Sequence, residues 1–168
     1  MSRRIAQSRA IGEYEGALRS IVHALKYDGR RSLAKPLAAR MCETGHAVLE
    51  GAHLVVPVPL HTSRRRERGF NQANDLAEHL GLPVVHALRR ARATAPQVSL
   101  AAGRRHANVR QAFRATRAAR RLAGKIVVIV DDVSTTGATL EACARALDGA
   151  GTREMRALTA ARVVTRLP

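Results

Sequence analysis

A chain of 168 residues with 46% hydrophobic residues and a formal charge of +16 is long enough for one domain with a single sizeable core, and a second full domain is not expected. No apolar run approaches the roughly 18 residues of a membrane span, so membrane insertion is not expected. The N-terminal MSRRIAQSRAIGEYEG has no apolar stretch of the secretory kind, which leaves the cytoplasm as the expected compartment.

Residues 11–50 read as helical. Leu18, Ile21, Val22 and Leu25 form one apolar face, and Leu33, Leu37, Met41 and Val48 form another, with Pro36 suited to the first turn of the second helix. His53–Leu60 (HLVVPVPL) is a short apolar run of strand length, and its prolines predict a strand that ends in an irregular loop. The basic loop HTSRRRERGFNQ follows. Helical spacing returns between Asn71 and Leu80, and Gly81 and Pro83 close that helix.

Pro83–Leu88 is a weak strand candidate. Residues 89–120 have no sustained period and many charges, so they read as a long loop with one or two short elements. Ile126–Val130 has the unbroken β-branched character of a parallel strand buried on both faces. The next helix carries Leu140, Cys143, Ala144 and Leu147 on one side and ends at Gly149–Gly151, and Met155–Val164 is the next strand. Strand, helix, strand in this order predicts an α/β domain with a mostly parallel sheet.

Chemistry concentrates in VVIVDDVSTTGAT. In an open parallel sheet, ligands bind beyond the carboxyl ends of the strands, where Asp131 and Asp132 are expected. Ser134, Thr135, Thr136, Gly137, Ala138 and Thr139 then offer successive backbone N–H groups and hydroxyls at a helix N-terminus, a cup for a phosphate. Ionised carboxylates are strong acceptors for vicinal hydroxyls. A ribose 5-phosphate fits the stretch, with its phosphate on the turn and its 2- and 3-hydroxyls on the aspartates. Helix capping alone would explain one Asp or one Thr and would leave a repulsive acidic pair unexplained.

VVIVDDVSTTGAT closely resembles the phosphoribosyl pyrophosphate signature of type I phosphoribosyltransferases. Tyr14-Glu15-Gly16, Leu25-Lys26-Tyr27, Pro57-Val58-Pro59-Leu60, Arg68-Gly69-Phe70-Asn71-Gln72, Gln97, Arg105, Asn108-Val109 and Phe113 occur in the order seen in the ComF family of competence-associated, phosphoribosyltransferase-like proteins. The resemblance spans about Tyr14 to Val164. It implies a type I phosphoribosyltransferase fold, a mostly parallel twisted sheet flanked by helices, as one domain over 1–168 with a small helical hood over about 11–50 and a core over 51–168.

It further implies phosphoribosyl pyrophosphate as ligand, Mg²⁺ bound with that substrate rather than by protein ligands, and transfer of the phosphoribosyl group to an acceptor. Asp131 and Asp132 would then be binding and catalytic residues, Arg64 and Arg68 would face the pyrophosphate, and Arg105 would act from a closing catalytic loop. Arg65 and Arg66 read as solvated charges. Gly69 and Asn71 shape a turn and cap the next helix. Gln97, Arg105 and Asn108 read equally well as packing and turn residues, and Tyr27 reads as a core or hood residue. ComF proteins commonly begin with a cysteine-rich zinc-binding segment. Cys42 and Cys143 are far apart without zinc-ligand spacing, so a chain without that module is expected.

The alternative is a DNA-binding component of natural transformation, with phosphoribosyl pyrophosphate as a regulator or not used at all. The charge favours nucleic acid, although Lys occurs only at 26, 35 and 125, and an Arg- and Ala-rich composition also follows from a GC-rich genome. The 2% aromatic content offers little for stacking single-stranded DNA. A noncatalytic sensor of the nucleotide pool would keep the phosphate cup and need no closing loop. The expected partners are thus phosphoribosyl pyrophosphate, single-stranded DNA or the competence machinery, and a second copy in a homodimer.

Overall fold

The computed structural model of the chain describes residues 4–60, 66, 69–91 and 112–164. Its centre is a parallel four-stranded sheet in the order β1 (Gln7–Glu13), β6 (Glu154–Arg162), β5 (Ile126–Ser134), β2 (Leu54–Pro57). Val84 adds a parallel bridge beside Val55 on the far side of β2. A short antiparallel ribbon, β3 (Leu88–Arg90) with β4 (Phe113–Ala115), stands apart from the sheet.

Every residue of Ile126–Val130 is buried because both faces of the sheet are covered. Val127 and Ile129 face one core with Leu54, Val56, Leu122 and the helix α5 (Ala138–Ala146). Val128 and Val130 face the other with Val55, Leu158 and the helices α1 (Gly16–Tyr27), α2 (Ala34–Thr44) and α4 (Gln72–Ala77). The period of two in the strand thus splits one apolar run between two cores. A short helix, α3 (His46–Leu49), leads into β2.

Residues 11–50 differ from the all-helical expectation. The segment opens in β1, whose alternation is too weak to mark a strand because it is an edge strand with its first three residues exposed. The helices that follow are those expected, with Pro36 in the first turn of α2. They pack mainly on the face of the sheet, through Val22, Leu25, Leu37, Ala38 and Met41.

Two local features lock this arrangement. Gly45 ends α2 where an added Cβ would lie 2.5 Å from Leu158 Cδ1 and 2.6 Å from the Met41 carbonyl oxygen. Arg156, 8% exposed, donates from Nη1 to the carbonyl oxygens of Val48 (3.0 Å) and Glu50 (2.6 Å) and pairs through Nε with Glu154 (2.6 Å). It ties β6 to the end of α3 and satisfies backbone acceptors left over at that helix terminus.

Candidate functional site

The carboxyl ends of the strands open into a cleft of about 510 Å³ lined by Asp131, Asp132, Ser134, Thr135, Gly137 and Thr139 on one side and by Val58, Pro59, Leu60 and Asn71 on the other. Strand β5 does not stop at the acidic pair, as the sequence suggests, but runs on to Ser134 in register with Arg162. The two aspartates therefore sit on extended backbone and are held by the sheet rather than by a loop.

Each aspartate has one oxygen engaged by the protein. Asp131 Oδ1 accepts the Asp132 N–H at 2.9 Å, and Asp132 Oδ1 accepts the Val133 N–H at 2.6 Å and meets Lys26 Nζ at 3.0 Å. Among the described residues no hydrogen bond uses either Oδ2. Both residues line the cleft. Burial, and then the charge of Asp132, pushes the Asp131 carboxyl up to about 7, against the Asp132 N–H, Lys26 and Arg90, which favour the ionised form.

Beyond Ser134 the chain turns at Gly137, whose φ of +75° is the left-handed conformation open to glycine, and enters α5. The N–H groups of the first helical turn have no intrahelical acceptor, and those at this turn border the cleft. Thr136 Oγ1 accepts the Ala138 N–H at 3.4 Å. Of the six residues expected to form the phosphate cup, Ser134, Thr135, Gly137, Ala138 and Thr139 line the cleft, while Thr136 lies on the neighbouring surface.

The opposite wall is built by a cap. Asn71 accepts the Ala73 N–H at 3.2 Å through Oδ1 and donates through Nδ2 to the Val58 carbonyl at 3.0 Å, so one side chain starts α4 and pins the loop after β2. Gly69 takes φ +75° just before it. Both expectations for Gly69 and Asn71 hold.

Arg64, Arg68 and Arg105, with Gln97 and Asn108, lie outside the described residues. Residues 92–111 connect β3 to β4, so the segment expected to carry a catalytic loop springs from a ribbon whose end, Arg90, lines the cleft. Tyr27 is not a core residue: it is 61% exposed at the rim, with its ring 4.6 Å from that of His23. Its place at the end of an amphipathic helix gave the sequence reading no reason to point it outward. Arg90 had no motif around it, and its Cζ lies 5.3 Å from the centre of the Phe113 ring.

With this geometry in place, comparison with known proteins is specific. Residues 66–166 match the phosphoribosyl transferase domain. The DNA utilization protein YhgH of Escherichia coli O157:H7 is 34% identical over 154 residues, covering 84% of this chain and 66% of that protein. Competence protein F of Haemophilus influenzae is 31% identical over 157 residues, covering 87% and 68%. The chain belongs to the ComF family. Competence protein ComFC of Bacillus subtilis is 30% identical to this ComF chain over 144 residues, covering 85% of it and 58% of the relative.

This ComF chain thus spans about two thirds of the length of the curated relatives it matches. A solved structure, that of the allosteric regulatory enzyme of purine biosynthesis, superimposes on 94% of the chain and 31% of its own with a TM-score of 0.52 at 22% identity. That likeness is one of fold: a parallel sheet flanked by helices, the type I phosphoribosyltransferase architecture.

Proposed function

We propose that this ComF protein binds phosphoribosyl pyrophosphate and transfers its phosphoribosyl group to an acceptor. The observation that carries the reading is that two adjacent aspartates, Asp131 and Asp132, line the cleft with one oxygen each outside any hydrogen bond among the described residues, next to a helix N-terminus that opens with Gly137. Two adjacent acceptors suit a vicinal diol, and the N–H groups of the turn suit a phosphate one sugar ring away. Anchored at both ends, the ribose would present C1 to the wall formed by Pro59, Leu60 and Asn71, where the loop after β2 would face the departing pyrophosphate.

The chemistry is a displacement at C1 in which the C1–O bond to pyrophosphate breaks as the bond to the acceptor forms. Its barrier falls when the growing negative charge on the leaving group meets fixed N–H donors and cations. Arg64 and Arg68 are proposed for that role, and Arg105 is proposed to act in the segment that closes over the sugar.

Among the described residues no group of three or more His, Cys, Asp or Glu could cage a metal ion. The oxygen donors of the aspartate pair fit a Mg²⁺ that arrives on substrate oxygens, Mg²⁺ being held characteristically by one or two carboxylates plus phosphates. Asp131 and Asp132 would hold it through the hydroxyls they grip, and when bound it would neutralise charge on the pyrophosphate.

Relatives named for competence and DNA utilization support a role in handling incoming DNA. One observation favours DNA itself as a second ligand. Arg117, Arg120, Arg121, Lys125 and Arg153 are all exposed, none has an ion-pair partner among the described residues, and Lys125 and Arg153 sit at the amino ends of β5 and β6, away from the cleft. Such a face would contact phosphates without reading sequence. Titration of a short single-stranded DNA at two salt concentrations tests this. Binding that weakens steeply with salt and is lost in a charge-reversed Arg120→Glu/Arg121→Glu variant supports it, and salt-insensitive or unchanged binding contradicts it. Loss of phosphoribosyl pyrophosphate binding in Asp131→Asn/Asp132→Asn, with the fold intact, tests the principal reading.

A further inference from the structure

Lys26 lies at the end of α1, outside the residues 66–166 that match the phosphoribosyl transferase domain. Its helix is anchored by Val22 and Leu25, both fully buried against the sheet. From there its ammonium crosses to Asp132 Oδ1 at 3.0 Å, in a pair whose side chains are 17% and 12% exposed. Two more side chains of the same N-terminal unit, Tyr14 and Tyr27, line the cleft beside it. Tyr14 is placed there by β1, its N–H donating to the Arg162 carbonyl at 2.7 Å where β1 runs alongside β6.

An ion pair this sheltered is a poor device for stability, since desolvation of the two charges offsets most of their attraction. What it supplies is orientation. The Val133 N–H bond and the Lys26 ion pair both fall on Asp132 Oδ1, so they fix the carboxylate's rotation and leave Oδ2 outside any hydrogen bond among the described residues. The charge balance points the same way. Two carboxylates are adjacent in the chain, and among the described residues the cations acting on Asp131 are Lys26 and Arg90. Without Lys26 the Asp132 carboxylate would lose the cation it meets at 3.0 Å.

We infer that Lys26 is a positioning residue of the ribose subsite, so that the β1–α1 unit, which precedes the matched domain, sets whether that domain distinguishes a ribose from a deoxyribose. The inference rests on the reading that the aspartates grip the sugar hydroxyls. An Asp132 freed from Lys26 turns away, and one hydroxyl loses its partner. The phosphate turn, which Lys26 does not touch, is left as it is.

Calorimetric titration of ribose 5-phosphate, 2-deoxyribose 5-phosphate and inorganic phosphate into the whole protein and its Lys26→Met and Lys26→Arg variants tests this. Wild type is expected to prefer ribose 5-phosphate over the deoxy sugar by tenfold or more, an ordinary cost for leaving a polar group of the site without its partner. Lys26→Met is expected to narrow that preference to threefold or less while inorganic phosphate binds as before, and Lys26→Arg to restore most of it. A residue that only held the helix in place would shift the melting temperature and weaken all three ligands together. Retained discrimination in Lys26→Met overturns the inference. If Lys26→Met lacks a cooperative melt, Lys26→Ala, which also removes the contact to Asp132, is titrated in its place against the same expectations. Failure of wild type to bind ribose 5-phosphate would overturn the underlying reading of the aspartates, and the inference with it.

Discussion

The Asp132 backbone N–H donates to the Asp131 carboxylate at 2.9 Å, so the two acidic residues of the cleft are joined by a hydrogen bond while their charges repel. Burial, and then the charge of Asp132, raise the Asp131 carboxyl to about 7, and this hydrogen bond offsets only part of the rise. The folded protein then holds a proton on Asp131 between about pH 4 and 7 that the unfolded chain has released, and stability falls as pH rises through that window. Asp131→Asn removes the penalty. It is expected to raise stability by about 4 kcal/mol at pH 8, a gain that shrinks toward zero as the pH approaches 4, as read from urea unfolding across pH. A constant difference at all pH values would show that Asp131 is ionised throughout.

The same titration bears on the ligand. If ionised Asp131 accepts a sugar hydroxyl, affinity for phosphoribosyl pyrophosphate rises with pH up to about 7 and then levels, because the proton must leave first. Phosphate groups also titrate near 6, so the comparison is with Asp131→Asn, whose profile is expected to lack the step near 7. Profiles of equal shape in the two proteins would remove Asp131 from ligand recognition.

Arg156 is expected to matter for stability alone. Arg156→Met leaves the Val48 and Glu50 carbonyls without their donor and should cost about 2–4 kcal/mol, a drop in Tm of about 5–12 °C. The affinity of the folded protein for ligand is expected to be unchanged, since Arg156 lies at the opposite end of β6 from the cleft. A Tm within 2 °C of wild type would contradict the role given to it.

Gly45 makes a steric prediction. Any Cβ there meets the Met41 carbonyl, part of the backbone, so the neighbour cannot rotate aside. Gly45→Ala is expected to destabilise by about 2 kcal/mol or more, the cost of overpacking a filled site. Gly137→Ala, where a Cβ meets open space, is expected to cost about 1 kcal/mol from its left-handed backbone alone. Thermal melts of the two variants side by side separate the causes, and equal costs would contradict the distinction.

Much of this was legible in the chain itself. The unbroken run Ile126–Val130, the acidic pair and the hydroxyl-rich turn marked strand, cleft and helix start, because burial on both faces leaves an apolar signature that single-face packing does not. Strand β1 escaped notice because an exposed edge strand needs little alternation. Lys26 was quoted only as a matching residue, since nothing in helical periodicity says that the last turn of an amphipathic helix reaches a carboxylate more than a hundred residues away. Arg90 gave no signal at all, its position depending on a ribbon paired across residues 92–111.

The central claim is that Asp131, Asp132 and the turn through Gly137 hold a phosphorylated ribose. The most direct measurement is a calorimetric titration of phosphoribosyl pyrophosphate with Mg²⁺ into wild type and into Asp131→Asn/Asp132→Asn, each checked for an intact cooperative melt. The account predicts saturable binding to wild type, weakened at least a hundredfold in the double variant. Equal binding by the two proteins, or none by wild type, would contradict it.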